Sequence, residues 1–113
     1  RTVRFVGISF EHCAWTLPEG GYASGQAGFH EDRSGDGGTT RVPIPAAVTF
    51  ELAESCELRD CRVTHTGGSG VWLGSRCRDC TLEDCVVTDV SGNGVMIGED
   101  RSRLDWRQRD DQR

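Results

Sequence analysis

The 113-residue chain has no lysine, one methionine, one tyrosine and three prolines, and aromatic residues make up only 7 % of it. All 13 basic residues are arginine, as codon bias in a GC-rich genome produces. They are outnumbered by 18 acidic residues, for a formal charge of −5. A dedicated nucleic-acid binder needs a basic face to neutralise phosphates, so that class is excluded. No apolar run approaches the roughly 18 residues of a membrane-spanning helix. Ser-His-Asp arrangements, phosphate loops and dinucleotide fingerprints are also absent. What the chain does have is glycine, 15 residues of it. High glycine with few aromatics favours turn-rich β structure over long helices.

A repeat organises the middle of the chain. Cys56-Glu-Leu58-Arg-Asp-Cys61-Arg-Val63-Thr-His65, followed by Gly70-Val71-Trp72-Leu73-Gly74, recurs 24 residues later. The second copy reads Cys80-Thr-Leu82-Glu-Asp-Cys85-Val-Val87-Thr-Asp89, then Gly94-Val95-Met96-Ile97-Gly98. At an offset of 53, Val3, Phe5, Ile8, Phe10 and His12 fit the first half of the same template. Ala47, Val48 and Phe50 fill the places of Gly70, Val71 and Leu73, after an insertion of 29 residues, roughly Ala14 to Pro45. Within each copy apolar residues alternate with a period of two, which marks short strands. Three such strands per repeat predict a right-handed parallel β-helix, a solenoid of about three rungs of ~24 residues stacked about 4.8 Å apart. A zigzag antiparallel sheet would not hold so strict a register.

The repeat also accounts for four of the six cysteines. Cys56 falls under Cys80 and Cys61 under Cys85, at places held by Val3 and Ile8 in the first copy. A place that accepts Cys, Val or Ile is an inward apolar one, where a reduced thiol acts as a small hydrophobe. Disulfides between stacked pairs would also fit the strand spacing. Cys77-Arg-Asp-Cys80 lacks the second matched pair that a zinc site requires, so no metal is expected.

Candidate chemistry comes from the same alignment. His12, His65 and Asp89 share one repeat position, at the end of the second strand, and stacked polar groups there would floor a groove for an extended polymer. Imidazole and carboxylate can move protons near neutral pH. The alternative is turn chemistry, since Asp before a glycine-rich turn often bonds its own backbone. In the insertion, Trp15 and Tyr22 offer flat faces for sugar rings, and Gln26 and His30 can bond hydroxyls. A 29-residue loop exceeds a simple connection; its front half could instead pack back on the fold, and Glu31 to Thr40 reads as mobile. Trp72, between inward Val71 and Leu73, should point outward as a contact surface. Glu99, after the closing Gly98, could supply a second carboxylate of the kind glycoside hydrolysis needs.

Several runs carry a family resemblance: Val3-Arg-Phe-Val-Gly-Ile-Ser-Phe-Glu-His12, Trp15-Thr-Leu-Pro18, Gly21-Tyr22 to Gln26-Ala-Gly28, Pro45-Ala-Ala-Val48, His65-Thr-Gly-Gly68, and Asp89-Val-Ser-Gly-Asn-Gly-Val95 to Ile97-Gly98. Together they resemble bacterial pectate-lyase-like β-helix proteins related to the glycoside hydrolase family that contains α-L-fucosidases and xylanases. The resemblance implies a secreted or periplasmic enzyme acting on polysaccharide without an organic cofactor. The family's acidic Asp-x-Gly-x-Gly-Gly turn would fall on Asp89, where this chain reads Asp-Val-Ser-Gly-Asn-Gly. No protein partner is implied.

The expected organisation is therefore a partial β-helix domain over 1–98, with an inserted loop over 14–45 and a charged, unpatterned tail over 99–113. The chain is expected to be a slice of a longer carbohydrate-active enzyme, most simply a glycoside hydrolase, inactive as an isolated piece. Asp89 and His65 are the expected catalytic groups, and His12, Trp15, Tyr22, Gln26, His30, Trp72 and Glu99 the substrate contacts. The alternatives are a non-catalytic glycan-binding or surface module, and a polysaccharide lyase. One Asp and two His suit the calcium site of a lyase poorly.

Overall fold

The computed structural model describes residues 2–17, 29–32 and 40–98. Among these residues there are eleven strands and no helix. The first repeat contributes β1 (Arg4–Val6), β2 (Ser9–Glu11) and, after the insertion, β5 (Ala46–Phe50). The second contributes β6 (Glu57–Arg59), β7 (Arg62–Thr66) and β8 (Ser69–Leu73), and the third β9 (Thr81–Glu83), β10 (Val86–Val90) and β11 (Val95–Ile97). The insertion holds β3 (Phe29–Asp32) and β4 (Thr40–Pro43), an antiparallel pair.

Equivalent strands of the three repeats lie side by side and parallel, in the orders β1-β6-β9, β2-β7-β10 and β5-β8-β11. All-β structure is thus as the sequence leads one to expect, but the β-helix solenoid is not. The strands form three separate three-stranded sheets, none closed on itself and none continued as a solenoid sheet, with the hairpin β3-β4 as a fourth sheet. Strands of three to five residues, three to a sheet, reach only about 10 Å from first to last, too little for an extended coil.

The pairing fixes the register. β1 and β2 meet partners 53 residues on, whereas β5 meets partners 23 residues on. The excursion between them is therefore one residue longer than the 29 counted from the sequence. Part of the segment expected to be mobile, Glu31 to Thr40, is strand at both ends.

Left-handed residues bend the chain, most of them between strands and two, His65 and Asp89, within β7 and β10. Nine described non-glycine residues have φ between 50° and 58°, among them Asp60, His65, Asp79, Asp84 and Asp89. Most recur at the repeat interval, and Gly7, φ 67°, stands where Asp60 and Asp84 stand. Each of the six cysteines immediately follows one of these corners. In all six, the thiol lies 3.2–4.0 Å from the carbonyl oxygen two residues back. Cys61, Cys77, Cys80 and Cys85 also reach a carbonyl of the preceding repeat. None of the six cysteines forms a disulfide. A small inward side chain able to cap carbonyls is what the turn of the chain leaves room for.

Leu52 adopts φ 52° with its side chain 69 % exposed. Left-handed geometry costs an L-residue about 1–2 kcal/mol, partly offset in Leu52→Gly by the entropy glycine loses. Leu52→Gly is therefore expected to stabilise the protein by up to about 1 kcal/mol in urea denaturation.

The core belongs to the middle repeat. Cys56, Leu58, Cys61, Val63 and Val71 are buried, joined by Phe50. Among the described residues, only the middle strands of the three parallel sheets have neighbours on both sides, so the counterparts Val3, Phe5 and Ile8 remain exposed although they occupy the same columns. On the outer face, charges alternate across the first sheet. Arg4 Nε lies 2.6 Å from Glu57 Oε2, Arg59 bonds Glu57 at 2.9 Å through Nε, and Arg59 Nη2 reaches Glu83 Oε2 at 2.9 Å. Glu57, and after it Glu83, raise the Arg59 pKa above its ordinary value.

Candidate functional site

His12, His65 and Asp89 are brought together as a column. His12 follows β2, while His65 and Asp89 sit inside β7 and β10, where direct pairing skips from Thr64↔Thr88 to Thr66↔Val90. All three are left-handed, with φ of 58°, 53° and 50°. The kink turns each side chain out of the ladder onto one exposed edge. The His12 and His65 rings lie 5.2 Å apart between centroids, tilted by 32°. On the other side, His65 Nε2 stands 3.4 Å from Asp89 Oδ2.

Thr64 sets the ring. Its hydroxyl lies 3.1 Å from His65 Nδ1, and its side chain is buried. With the hydroxyl donating to Nδ1, neutral His65 carries its proton on Nε2, facing the Asp89 carboxylate. Burial removes Thr64 from any role as a nucleophile. The pair itself is open, with side chains 55 % and 69 % exposed. It can hand a proton to or from a bound molecule, and its geometry is fixed from behind rather than by enclosure.

Beside the column lies an open hollow of about 270 Å³ lined by Trp15, Leu17, Ile44, Gly67 and Ser91. Trp15 is half-buried, and the Gly67 backbone passes so near its main chain that an added Cβ would come 2.7 Å from the Trp15 backbone nitrogen. Gly67 N–H donates to Cys13 O, and Ser91 N–H to Thr66 O and Gly68 O, which joins the three segments leaving the column. Sequence reasoning named Trp15 and missed the rest. The available signal was that Gly67 and Ser91 share one repeat position, two residues beyond His65 and Asp89.

Glu11 was also passed over. It immediately precedes His12, is exposed, and accepts a hydrogen bond from Ser9 Oγ at 2.9 Å. It lies on β2, two strands from β10, a separation of about 10 Å between strand axes.

Of the other expected contacts, Trp72 does not line this hollow. Trp72 is half-buried, and its Nε1 donates to Gly98 O at 2.9 Å, so it braces the end of β11 rather than standing free. His30 lies in β3, paired with Val42. Tyr22, Gln26 and Glu99 lie outside the described residues. Cys77 and Cys80 line a second hollow of about 340 Å³ together with Leu73, Arg76, Asp79 and Ile97. Among the described residues, no group of three or more His, Cys, Asp or Glu side chains could hold a metal ion, and no helix is long and apolar enough to cross a membrane.

Comparison with protein-family models, with curated proteins and with solved structures finds no match to this chain.

Proposed function

We propose that the chain is the polysaccharide-contacting part of a carbohydrate-active protein whose chemistry is glycoside hydrolysis. Asp89 acts as acid or base and His65 orients it. The observation that carries this reading is the exposed His12–His65–Asp89 column, with His65 Nε2 3.4 Å from the Asp89 carboxylate. Stacked groups on one open edge suit an extended polymer, and Trp15 in the adjoining hollow offers a flat face to a sugar ring. The family likeness of the His65-Thr-Gly-Gly and Asp89-Val-Ser-Gly runs supports the same class. Glu11 is the proposed partner carboxylate because it is exposed beside His12 at the foot of the column, and inverting enzymes need a second carboxylate set apart from the first to activate a water. The setting in which such a chain meets its substrate is extracellular or periplasmic.

A second reading, a non-catalytic glycan-binding module, draws on the same exposure. Carboxyl groups tuned for proton transfer commonly sit in desolvated pockets, and Asp89 does not.

The test is incubation of the protein with a panel of plant and microbial polysaccharides, reading both new reducing ends and bound polymer. Hydrolysis predicts new reducing ends on at least one polymer. Binding that is weakened by Trp15→Ala, with no reducing ends formed, favours the second reading. Neither signal on any polymer sinks both.

A further inference from the structure

Among the described residues, no further strand pairs with β1, β2 and β5 on one side of the three parallel sheets or with β9, β10 and β11 on the other. Both edges carry exposed apolar side chains: Val3, Phe5 and Ile8 at the first, and Val95 with the 81 % exposed Ile97 at the second. Their patterns correspond. Phe5, Leu58 and Leu82 form one column, Phe10, Val63 and Val87 another, and Val48, Val71 and Val95 a third. The third-repeat edge thus presents to an incoming strand what the second repeat presents to the third.

We propose that copies of this protein associate head to tail, the β9-β10-β11 edge of one pairing in parallel with the β1-β2-β5 edge of the next. Charge selects this occupant and its direction. The alternating series across the first sheet starts with Arg4 and ends with Glu83. Stacked head to tail, the next copy's Arg4 falls opposite Thr81 and diagonal to Glu83, within reach of two long side chains. The corner column has the same polarity, with His12 at one end and Asp89 at the other. The next copy's His12 then stands over Asp89, as His65 already does. Head-to-head contact would instead bring two Arg4 and two His12 side chains to one junction, and tail-to-tail contact two Glu83 and two Asp89. A contact between two different edges does not close after two copies, so the assembly grows with concentration.

The experiment uses the full chain in sedimentation equilibrium across a wide concentration range. The weight-average mass is expected to climb from 12.4 kDa past that of a dimer. Amide protection of Arg4–Val6, the edge strand β1, should rise with it in hydrogen exchange. Arg4→Glu alone and Glu83→Arg alone place like charges at every junction and should stay monomeric where the wild type associates. An equimolar mixture of the two presents opposite charges at every junction and should recover assembly. The proposal is overturned if the wild type stays monomeric up to its solubility limit, as an edge covered by the chain's own segments would require. It is likewise overturned if mass stops at a dimer, if both variants assemble like the wild type, or if their mixture stays monomeric. Concentration-dependent protection of β1 needs no variant, so a variant that folds poorly leaves the test intact. No arm reads activity, so the outcome is independent of the proposed hydrolysis.

Discussion

Asp89→Asn is expected to lower hydrolytic turnover by about 100-fold to 10,000-fold, the usual worth of a positioned general acid or base. The amide keeps the shape of the carboxylate but can neither accept nor deliver the proton. It can still accept a hydrogen bond from His65 Nε2, so the column should stay in place. Because Asp89 is 69 % exposed, the change should leave the melting temperature nearly unmoved. Polymer affinity should stay within a few-fold, since Trp15 and His12 are untouched. Initial rates of reducing-end release, set beside affinity for the same polymer, separate the two effects. Unchanged turnover would remove Asp89 from the chemistry. Glu11→Gln should show a comparable loss if Glu11 is the partner carboxylate.

Leu58→Ala is expected to destabilise the fold by about 2–5 kcal/mol, the range for deleting a large aliphatic side chain from a packed core. Leu58 is 1 % exposed and sits between Phe5 and Leu82 in one column. Small domains commonly have only about 5–15 kcal/mol in hand, so the loss takes a large share of the total. Leu82→Ala, in the same column but with a neighbour on one side only, should cost clearly less. Urea titrations of the two variants, followed by circular dichroism, make the comparison. Equal losses would contradict a core centred on the middle repeat.

The strand pairing was legible because the repeat runs without a gap from Cys56 to Gly98, so parallel partners follow by counting. Period-two alternation likewise conveyed the all-β character. Counting could not convey how strands of three to five residues assemble, and the solenoid inferred from stacking gave way to three separate sheets. The column was legible for the same reason as the pairing, since His12, His65 and Asp89 hold one repeat position. Its geometry was not, because the left-handed kinks at all three leave no trace in an apolar pattern. The hollow depends on Ile44, which leads out of the insertion, meeting Trp15, which leads into it. No periodicity links those two. Inward neighbours on both sides mark Trp72 as outward, and only the arrival of the Gly98 carbonyl beside its indole shows why it is there.

The left-handed corners also define where the chain tolerates change. A residue added inside β7 would shift every later side chain to the opposite face and break its pairing on both sides. An addition between a corner and the next strand asks only that the path return to the same point. The first repeat has done this: the long excursion leaves after His12 and comes back in register at Ala46, with Phe50 still set beside Leu73. The protein is thus modular at this edge: a long segment enters and leaves between two strands without rewriting either.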